Sequence, residues 1–246
     1  MRIYYFDAGN TRLKLWCCEA GALTAEHSVA HHGCPADTLS GLPTEFAAAP
    51  DAVCGASVLA PEQLQDFVGA CAALWGQVPQ LASSGSACGL VRNGYADPGR
   101  LGVDRWLALL GAYDEARGLP VCVADCGTAL TIDVMLSDGE HQGGYILPGL
   151  TLMADALQLR TGGVRFGRSA RHATWPGRDT AAAVGHGALL AAVALIDRLA
   201  ADYGAVVVLT GGDAADIRPH LRSAVEHEPY LLLRGLQRYF GDAGIS

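Results

Sequence analysis

A chain of 246 residues, half of them apolar and 17% charged, can bury a sizeable core as one large domain or as two of about 120 residues, and wholesale disorder is excluded. Its formal net charge of −8 argues against nucleic acid as the main partner. No apolar stretch approaches the roughly 20 residues of a membrane span, and Met1–Phe6 runs into Asp7 too soon for a signal-peptide core, so a cytoplasmic protein without membrane association is expected.

The first thirty residues read as three short strands: Arg2–Phe6, a Gly9-Asn10 turn, Leu13–Cys18, a Gly21 turn and Leu23–Ala30. Helix-like and strand-like pieces alternate up to about Leu81. Ser83–Gly99, rich in Gly, Ser, Asn and Pro, reads as a long loop, a feature usually tied to function. A helix is predicted over Val103–Arg117, closed by Gly118. The second half restarts in the same way: the strand Val121–Ala124 into Asp125, then Gly127-Thr128, the strand Ala129–Leu136, an Asp138-Gly139 turn and the strand His141–Leu147. Asp7 and Asp125 lie 118 residues apart, which points to an internal duplication with lobes 1–118 and 119–246. A long helix is predicted from Arg178 to Tyr203. Between 181 and 196 only Gly185, His186 and Gly187 interrupt small and apolar residues. Such a helix needs cover on more than one side, and a partner subunit is the simplest second cover. The strand Val206–Leu209, Gly211-Gly212 and a helix near Tyr230–Phe240 end the chain.

The eight cysteines (Cys17, Cys18, Cys34, Cys54, Cys71, Cys88, Cys122, Cys126) never form Cys-x-x-Cys and read as reduced core thiols. His31, His32 and Cys34 are close in sequence, but no second cluster stands at metal-ligand spacing. Asp7-Ala8-Gly9-Asn10-Thr11 and Asp125-Cys126-Gly127-Thr128 each follow a β-rich run. A glycine at a strand-to-strand turn lets backbone N–H groups approach a phosphate, and the preceding aspartate can hold a metal ion or its water beside it. Asp-x-Gly is also an ordinary hairpin turn; it is the pairing, with matching flanks, that favours a phosphate grip. A nucleotide on so acidic a chain must be held locally, by N–H groups, a divalent cation and a few placed side chains.

All basic residues but one are arginine; the lysine is Lys14, on the strand after the first turn. It serves equally as a phosphate contact or as a solvated strand residue. No Gly-rich Lys-Ser/Thr loop, protein-kinase lysine or Gly-x-Gly-x-x-Gly after the first strand is present, which removes the common nucleotide folds. The stretch Asn93 to Trp106 delivers Asp104 and Arg105 to the start of a helix. Asp104 suits the first-turn macrodipole in any case, yet it can also position an acceptor hydroxyl for phosphoryl transfer. Arg105 offers a fork for a substrate carboxylate. Gly211-Gly212 reads either as a nucleotide-side glycine pair or as a strand-to-helix turn. His186 reads as a packing or interface residue. Arg165, Arg168, Arg171, His172 and Trp175 read as a surface loop.

Taken together, Asp7–Thr11, Tyr95…Pro98…Leu101-Gly102-Val103-Asp104-Arg105, Asp125–Thr131, Gly143-Gly144-Tyr145-Ile146-Leu147-Pro148-Gly149 and Asp179-Thr180 resemble the type III pantothenate kinases, of the actin-like, sugar-kinase and heat-shock ATPase superfamily. The resemblance implies an α/β fold of two duplicated actin-like (ribonuclease H-like) lobes, with mixed β-sheets flanked by helices. It implies a homodimer and ATP-dependent phosphorylation of pantothenate, the first step toward coenzyme A. It assigns Asp104 as the catalytic residue, with Tyr95, Gly102, Val103, Asp104, Arg105 and Thr180 on pantothenate and, more loosely, Thr161. Asp7, Ala8, Gly9, Asn10, Thr11, Lys14, Gly127 and Thr128 fall to ATP. Asp7 goes to Mg²⁺, and Asp125 to a monovalent cation, K⁺ or NH₄⁺. Two alternatives stand beside this: a kinase for another small hydroxylated acid or sugar, and a nucleotide-binding accessory or regulatory protein.

Overall fold

The structure, a computed structural model, describes residues 1–31, 33–114, 117–161, 165, 167 and 173–242. His32, Arg168, Arg171 and His172, singled out above, lie outside the described residues. In chain order the elements are β1 (Arg2–Ala8), β2 (Arg12–Glu19), β3 (Ala22–Ala30), β4 (Ala52–Ser57), α1 (Pro61–Trp75), β5 (Gln80–Leu81), β6 (Ala87–Cys88), β7 (Val91–Arg92), α2 (Val103–Ala112), β8 (Val121–Cys126), β9 (Ala129–Met135), β10 (His141–Pro148), α3 (Leu150–Arg160), α4 (Thr180–Tyr203), β11 (Val206–Thr210), α5 (Ala214–Ile217), β12 (Val225–His227) and α6 (Leu231–Asp242).

Two compact units emerge. One holds Met1–Gly89, Tyr95–Gly111 and the C-terminal helix from Leu232; the other holds Leu90–Gly94 and Ala112–Leu231. The division thus departs from contiguous lobes of 1–118 and 119–246, because α6 returns to the first unit. Each unit is built on a five-stranded mixed sheet, of order β3-β2-β1-β4-β5 and β10-β9-β8-β11-β12. In both, the central strand is antiparallel to the hairpin strand on one side and parallel to the strand on the other. Same order and same sense make these two copies of one supersecondary plan. The copies differ at the turn: Ala8 pairs with Leu13, whereas Cys126 pairs with Leu130, so the second turn is one residue shorter.

In the first unit β1 alternates. Tyr4, Phe6 and Ala8 pack with Phe67, Cys71 and Trp75 of α1, with Phe6 and Phe67 edge to face at 5.0 Å. Helix α1 starts at Pro61, where a missing N–H costs nothing, and Gln63 Oε1 accepts the Ala60 N–H at 3.3 Å. It stops at Gly76, whose φ of 69° is left-handed. On the opposite face Tyr5, Trp16 and Cys18 are also buried, and α6 reaches that side, where Gln237 Nε2 donates to Gly21 O at 3.0 Å. Helix α6 also holds α2: Arg238 Nη1 donates to Leu110 O at 2.7 Å, and a side-chain carbon at Gly235 would collide with the Leu107 carbonyl.

In the second unit α4 lays Gly185, Ala188, Leu189, Ala192, Val193, Ile196, Leu199 and Ala200 against Cys122, Ala124, Ile132 and Val207. The spacing is that of one helical face, so only one side of α4 is covered within the described residues; Leu190 stays 47% exposed. By length and composition α4 could cross a bilayer (mean hydropathy 1.6), contrary to the expectation that no stretch comes near that limit. Across the sheet, His141 Nε2 and Asp133 Oδ1 meet at 2.8 Å in full burial. The Gly94 N–H donates to His141 Nδ1 at 3.4 Å, and Arg92 pairs with Glu140 at 2.6 Å. Residues 90–94 are thereby fastened to the β9–β10 hairpin.

Three expectations change. The predicted loop Ser83–Gly99 contains β6 and β7 around Gly89, at φ 56°, and a 3₁₀ turn at Pro98–Arg100. Helix α2 ends at Ala112 and not at Arg117, and the Arg117 side chain instead satisfies the Ala112 carbonyl at 2.8 Å. The third is α3, unread in the sequence because Leu152, Leu157 and Leu159 stay exposed and no single stripe marks its face. All eight cysteines are free thiols. Burial pushes Cys18 and Cys54 up to about 11, and Cys71 and Cys122 up to about 12, so these four stay protonated near neutral pH.

Gly235→Ala forces α6 off α2. It is expected to lower unfolding stability by about 1–3 kcal/mol in denaturant titration; unchanged stability would show that the two helices are not in close register.

Candidate active site

β1 ends in Asp7 and Ala8, and the turn Gly9–Thr11 carries the chain into β2. The turn is closed by the Gly9 N–H donating to Arg12 O at 3.0 Å. Asn10 and Thr11 are exposed at its tip. Asp7 lies opposite Lys14 in the ladder, and Lys14 Nζ stands 3.9 Å from Asp7 Oδ2 with both side chains partly open to solvent. Of the residues read from the sequence as phosphate-facing, Asp7–Thr11 and Lys14 are therefore gathered at one end of the first sheet.

Pro98–Arg100 turns the chain into α2, and Gly102 O accepts the first helical bond from Trp106 N at 3.0 Å. Asp104 sits in the first turn, its Oδ1 accepting the Arg105 N–H at 2.8 Å. Gly102 leaves the carboxylate its place: a side-chain carbon there would fall 2.6 Å from Asp104 Oδ1 and push that side chain aside. Arg105 is a buried cation, 4% exposed. Its Nη1 donates to the Tyr95 hydroxyl at 2.7 Å, and its guanidinium carbon lies 5.5 Å from the Tyr95 ring centroid, within cation–π range. Tyr95, Gly102, Asp104 and Arg105 thus form one constellation: a partly open carboxylate beside an oriented guanidinium. Val103 is half-buried at the same helix start.

In the second unit Asp125 is the penultimate residue of the sheet's central strand, between Thr131 and Thr210. The turn closes through the Gly127 N–H to Ala129 O at 3.1 Å, and the Gly149 N–H donates to Thr128 O at 2.9 Å. Two glycines wrap this turn. Any side chain at Gly149 would strike the Gly127 and Thr128 carbonyls, which gives the Gly-Gly-x-Ile-x-Pro-Gly segment its physical reason. Gly211 has φ 92°, and a side-chain carbon there would sit 2.5 Å from Asp125 Oδ1. Gly211-Gly212 is the strand-to-helix turn out of β11, with Gly211 set directly beside Asp125. No signal in the sequence tied either glycine to that aspartate.

Asp179 caps α4, its Oδ1 accepting the Ala182 N–H at 2.8 Å. Thr180, the next residue, is exposed on the rim of an open groove of about 760 Å³ shaped by Met153 and Leu157 of α3 and by Ala183, Val184 and Gly187 of α4. Thr161 is spent locally, its hydroxyl donating to Leu157 O at 2.7 Å. His186 is a packing residue, its Nδ1 2.8 Å from Trp175 O. Among the described residues no three His, Cys, Asp or Glu side chains are grouped to hold a metal.

Residues 3–202 match the family model for type III pantothenate kinase. Proteins named type III pantothenate kinase are similar along the chain. The one from Acinetobacter baylyi is 36% identical over 97% of this chain and 98% of its own. That from Halorhodospira halophila is 38% identical over 94% of each, and that from Nitrosococcus oceani 40% identical over 68% and 67%. Among solved structures, a putative 2-dehydro-3-deoxygalactonokinase from Sinorhizobium meliloti superposes with a TM-score of 0.67 at 14% identity over 98% of this chain and 95% of that one. A putative Baf family transcriptional activator from Campylobacter jejuni gives 0.65 at 19% identity over 98% of each. At such identities these two speak for the fold, that of actin-like two-lobed proteins.

Gly211→Ala places a methyl group against Asp125 in a backbone conformation that alanine resists. It is expected to cost about 1–3 kcal/mol of stability and to lower the melting temperature; a wild-type melt would remove the proposed close fit around Asp125.

Proposed function

The chain belongs to the type III pantothenate kinases, and from that premise we propose how its own residues divide the transfer of a phosphoryl group from ATP to the hydroxyl of pantothenate. The reaction is ATP-dependent phosphorylation of pantothenate, the first step of coenzyme A biosynthesis. The observation that carries the assignment of roles is the α2 entry. There, one helix start presents an aspartate whose surroundings are cleared by Gly102 and an arginine oriented by Tyr95.

Asp104 orients the pantothenate hydroxyl and takes its proton as the phosphoryl group is transferred. Its Oδ1 is held by the Arg105 N–H, which fixes the carboxylate plane. Because the transition state of phosphoryl transfer is loose, positioning matters more here than base strength. Arg105 takes the pantothenate carboxylate. Being buried and pre-oriented, its guanidinium loses little freedom on binding. Tyr95, Gly102 and Val103 complete that wall. In the first unit, Asp7, Ala8, Gly9, Asn10, Thr11 and Lys14 serve the ATP phosphates. Asp7 supplies a carboxylate to Mg²⁺, which when bound neutralises phosphate charge. In the second, Gly127 and Thr128 offer the other phosphate turn, and Asp125 suits a monovalent cation.

Thr180 and the open face of α4 belong to a homodimer, in which a second copy covers the groove between α3 and α4. The support is physical: Leu157 stays exposed on the groove and Leu190 elsewhere on α4, and a helix so apolar needs its second side covered. A cytoplasmic location follows from the substrates.

Purified protein is expected to convert pantothenate and ATP to phosphopantothenate, and Asp104→Asn to cut turnover by at least about a hundredfold with an unchanged melt. Normal turnover in that variant would reject the assignment of the base. Nucleotide binding without pantothenate-dependent turnover in any mixture of K⁺ and NH₄⁺ would favour the accessory reading. Arg105→Lys loses the fork, and is expected to raise KM for pantothenate about tenfold or more while leaving KM for ATP near wild type; equal shifts in both would argue against a carboxylate contact. Sedimentation should return a dimer, and a strict monomer would remove the shared groove.

A further inference from the structure

His31 follows β3 and is one of the few polar side chains buried among the described residues, with 7% of its surface exposed. Both ring nitrogens are engaged. Nε2 lies 2.8 Å from Gly9 O, and the Gly33 N–H donates to Nδ1 at 3.3 Å. A backbone N–H can only donate, so Nδ1 carries the lone pair, and Nε2–H donates to the Gly9 carbonyl. The backbone N–H of His31 also donates to Thr11 O at 3.0 Å. One residue thus holds two carbonyls of the Asp7–Thr11 turn, and its engaged ring nitrogens close off a metal role with Cys34.

The chain of bonds extends further back. Gly33 sits at φ 96°, a conformation natural to glycine, and its carbonyl accepts from Gln63 Nε2. Gln63 is in the first turn of α1, and its Oε1 is held by the Ala60 N–H at 3.3 Å. The start of α1 is thereby connected, through Gly33 and the imidazole, to the turn. The tautomer of His31 is set from behind.

The consequence lies in peptide geometry. In a trans peptide the C=O and the following N–H point in opposite directions. Drawing the Gly9 carbonyl toward His31 turns the Asn10 N–H the other way, away from His31, at a residue exposed to solvent. The Gly9 N–H is consumed inside the turn by Arg12 O. The Asn10 N–H has no acceptor among the described residues.

We propose that His31 is a positioning residue for nucleotide binding: it locks the Gly9–Asn10 peptide so that the Asn10 N–H faces a phosphate oxygen, with Gln63 holding the imidazole in the required tautomer. The proposal rests on the assignment of the Asp7–Thr11 turn to the ATP phosphates.

Calorimetric titration with a non-hydrolysable ATP analogue and Mg²⁺, alongside steady-state kinetics, tests it. His31→Leu is expected to raise the nucleotide Kd and KM for ATP about tenfold with KM for pantothenate unchanged. His31→Gln, which can supply both an amide donor and a carbonyl acceptor, should return within about threefold of wild type. Gln63→Leu should raise the nucleotide Kd about threefold, and carries the test if His31→Leu does not fold. Lys14→Ala separates the premises. If it weakens nucleotide binding while folded His31→Leu does not, the His31 proposal is overturned and the turn assignment stands. If neither variant weakens it, both are overturned. Parallel shifts in the KM of ATP and pantothenate, absence of rescue by glutamine, or an unaltered Kd in Gln63→Leu would likewise reject it.

Discussion

β1 and β8 are the centre of their sheets, and each has an antiparallel neighbour on one side and a parallel neighbour on the other. At the carboxyl end of such a strand the chain turns back at once on one side, while the parallel neighbour ends at the same level and leads away into a loop or helix. The two neighbours of the central strand thus leave it in different directions at this point. Asp7 and Asp125 are the residues that arrive at that point. Their position follows from hydrogen-bond topology, and the chemistry assigned to each follows from position.

Keeping such carboxylates accessible inside packed protein requires small neighbours. Asp104 and Asp125 solve this alike. Gly102 and Gly211 each stand where a side-chain carbon would meet the aspartate oxygen within 2.6 Å. Gly149 does the same for the backbone of the second turn. These glycines make room for carboxylates and turn carbonyls, and at Gly211 the positive φ adds a conformational reason.

The two copies of the plan are not equivalent. The first turn is one residue longer, which provides the exposed Asn10–Thr11 tip and brings Lys14 opposite Asp7; in the second, Thr131 stands opposite Asp125. An acidic protein therefore carries its single lysine beside one of the two Asp-x-Gly turns that follow the central strands. The pair at 3.9 Å is partly solvated and counts for little in stability, so its meaning is local charge where phosphate is expected.

Much of this was legible in the sequence. Strand runs ending in aspartate, the repeat between the halves, and the Tyr95-to-Arg105 segment are local patterns, and local patterns survive reading one residue at a time. Helix α3 escaped because its apolar residues mark no single face. The return of α6 to the first unit escaped because nothing near Gly235 names Leu107 as its neighbour. By itself the sequence determined the two duplicated strand–turn–strand units and the residue types able to handle phosphate and carboxylate. Only the tertiary structure decided which glycines guard which aspartate, how Tyr95 orients Arg105, and that the His31 ring meets the Gly9 carbonyl, 22 residues before it. Apart from Gly102 beside Asp104, those are contacts between separate segments of the chain, and their distances are set by packing, which no local pattern encodes.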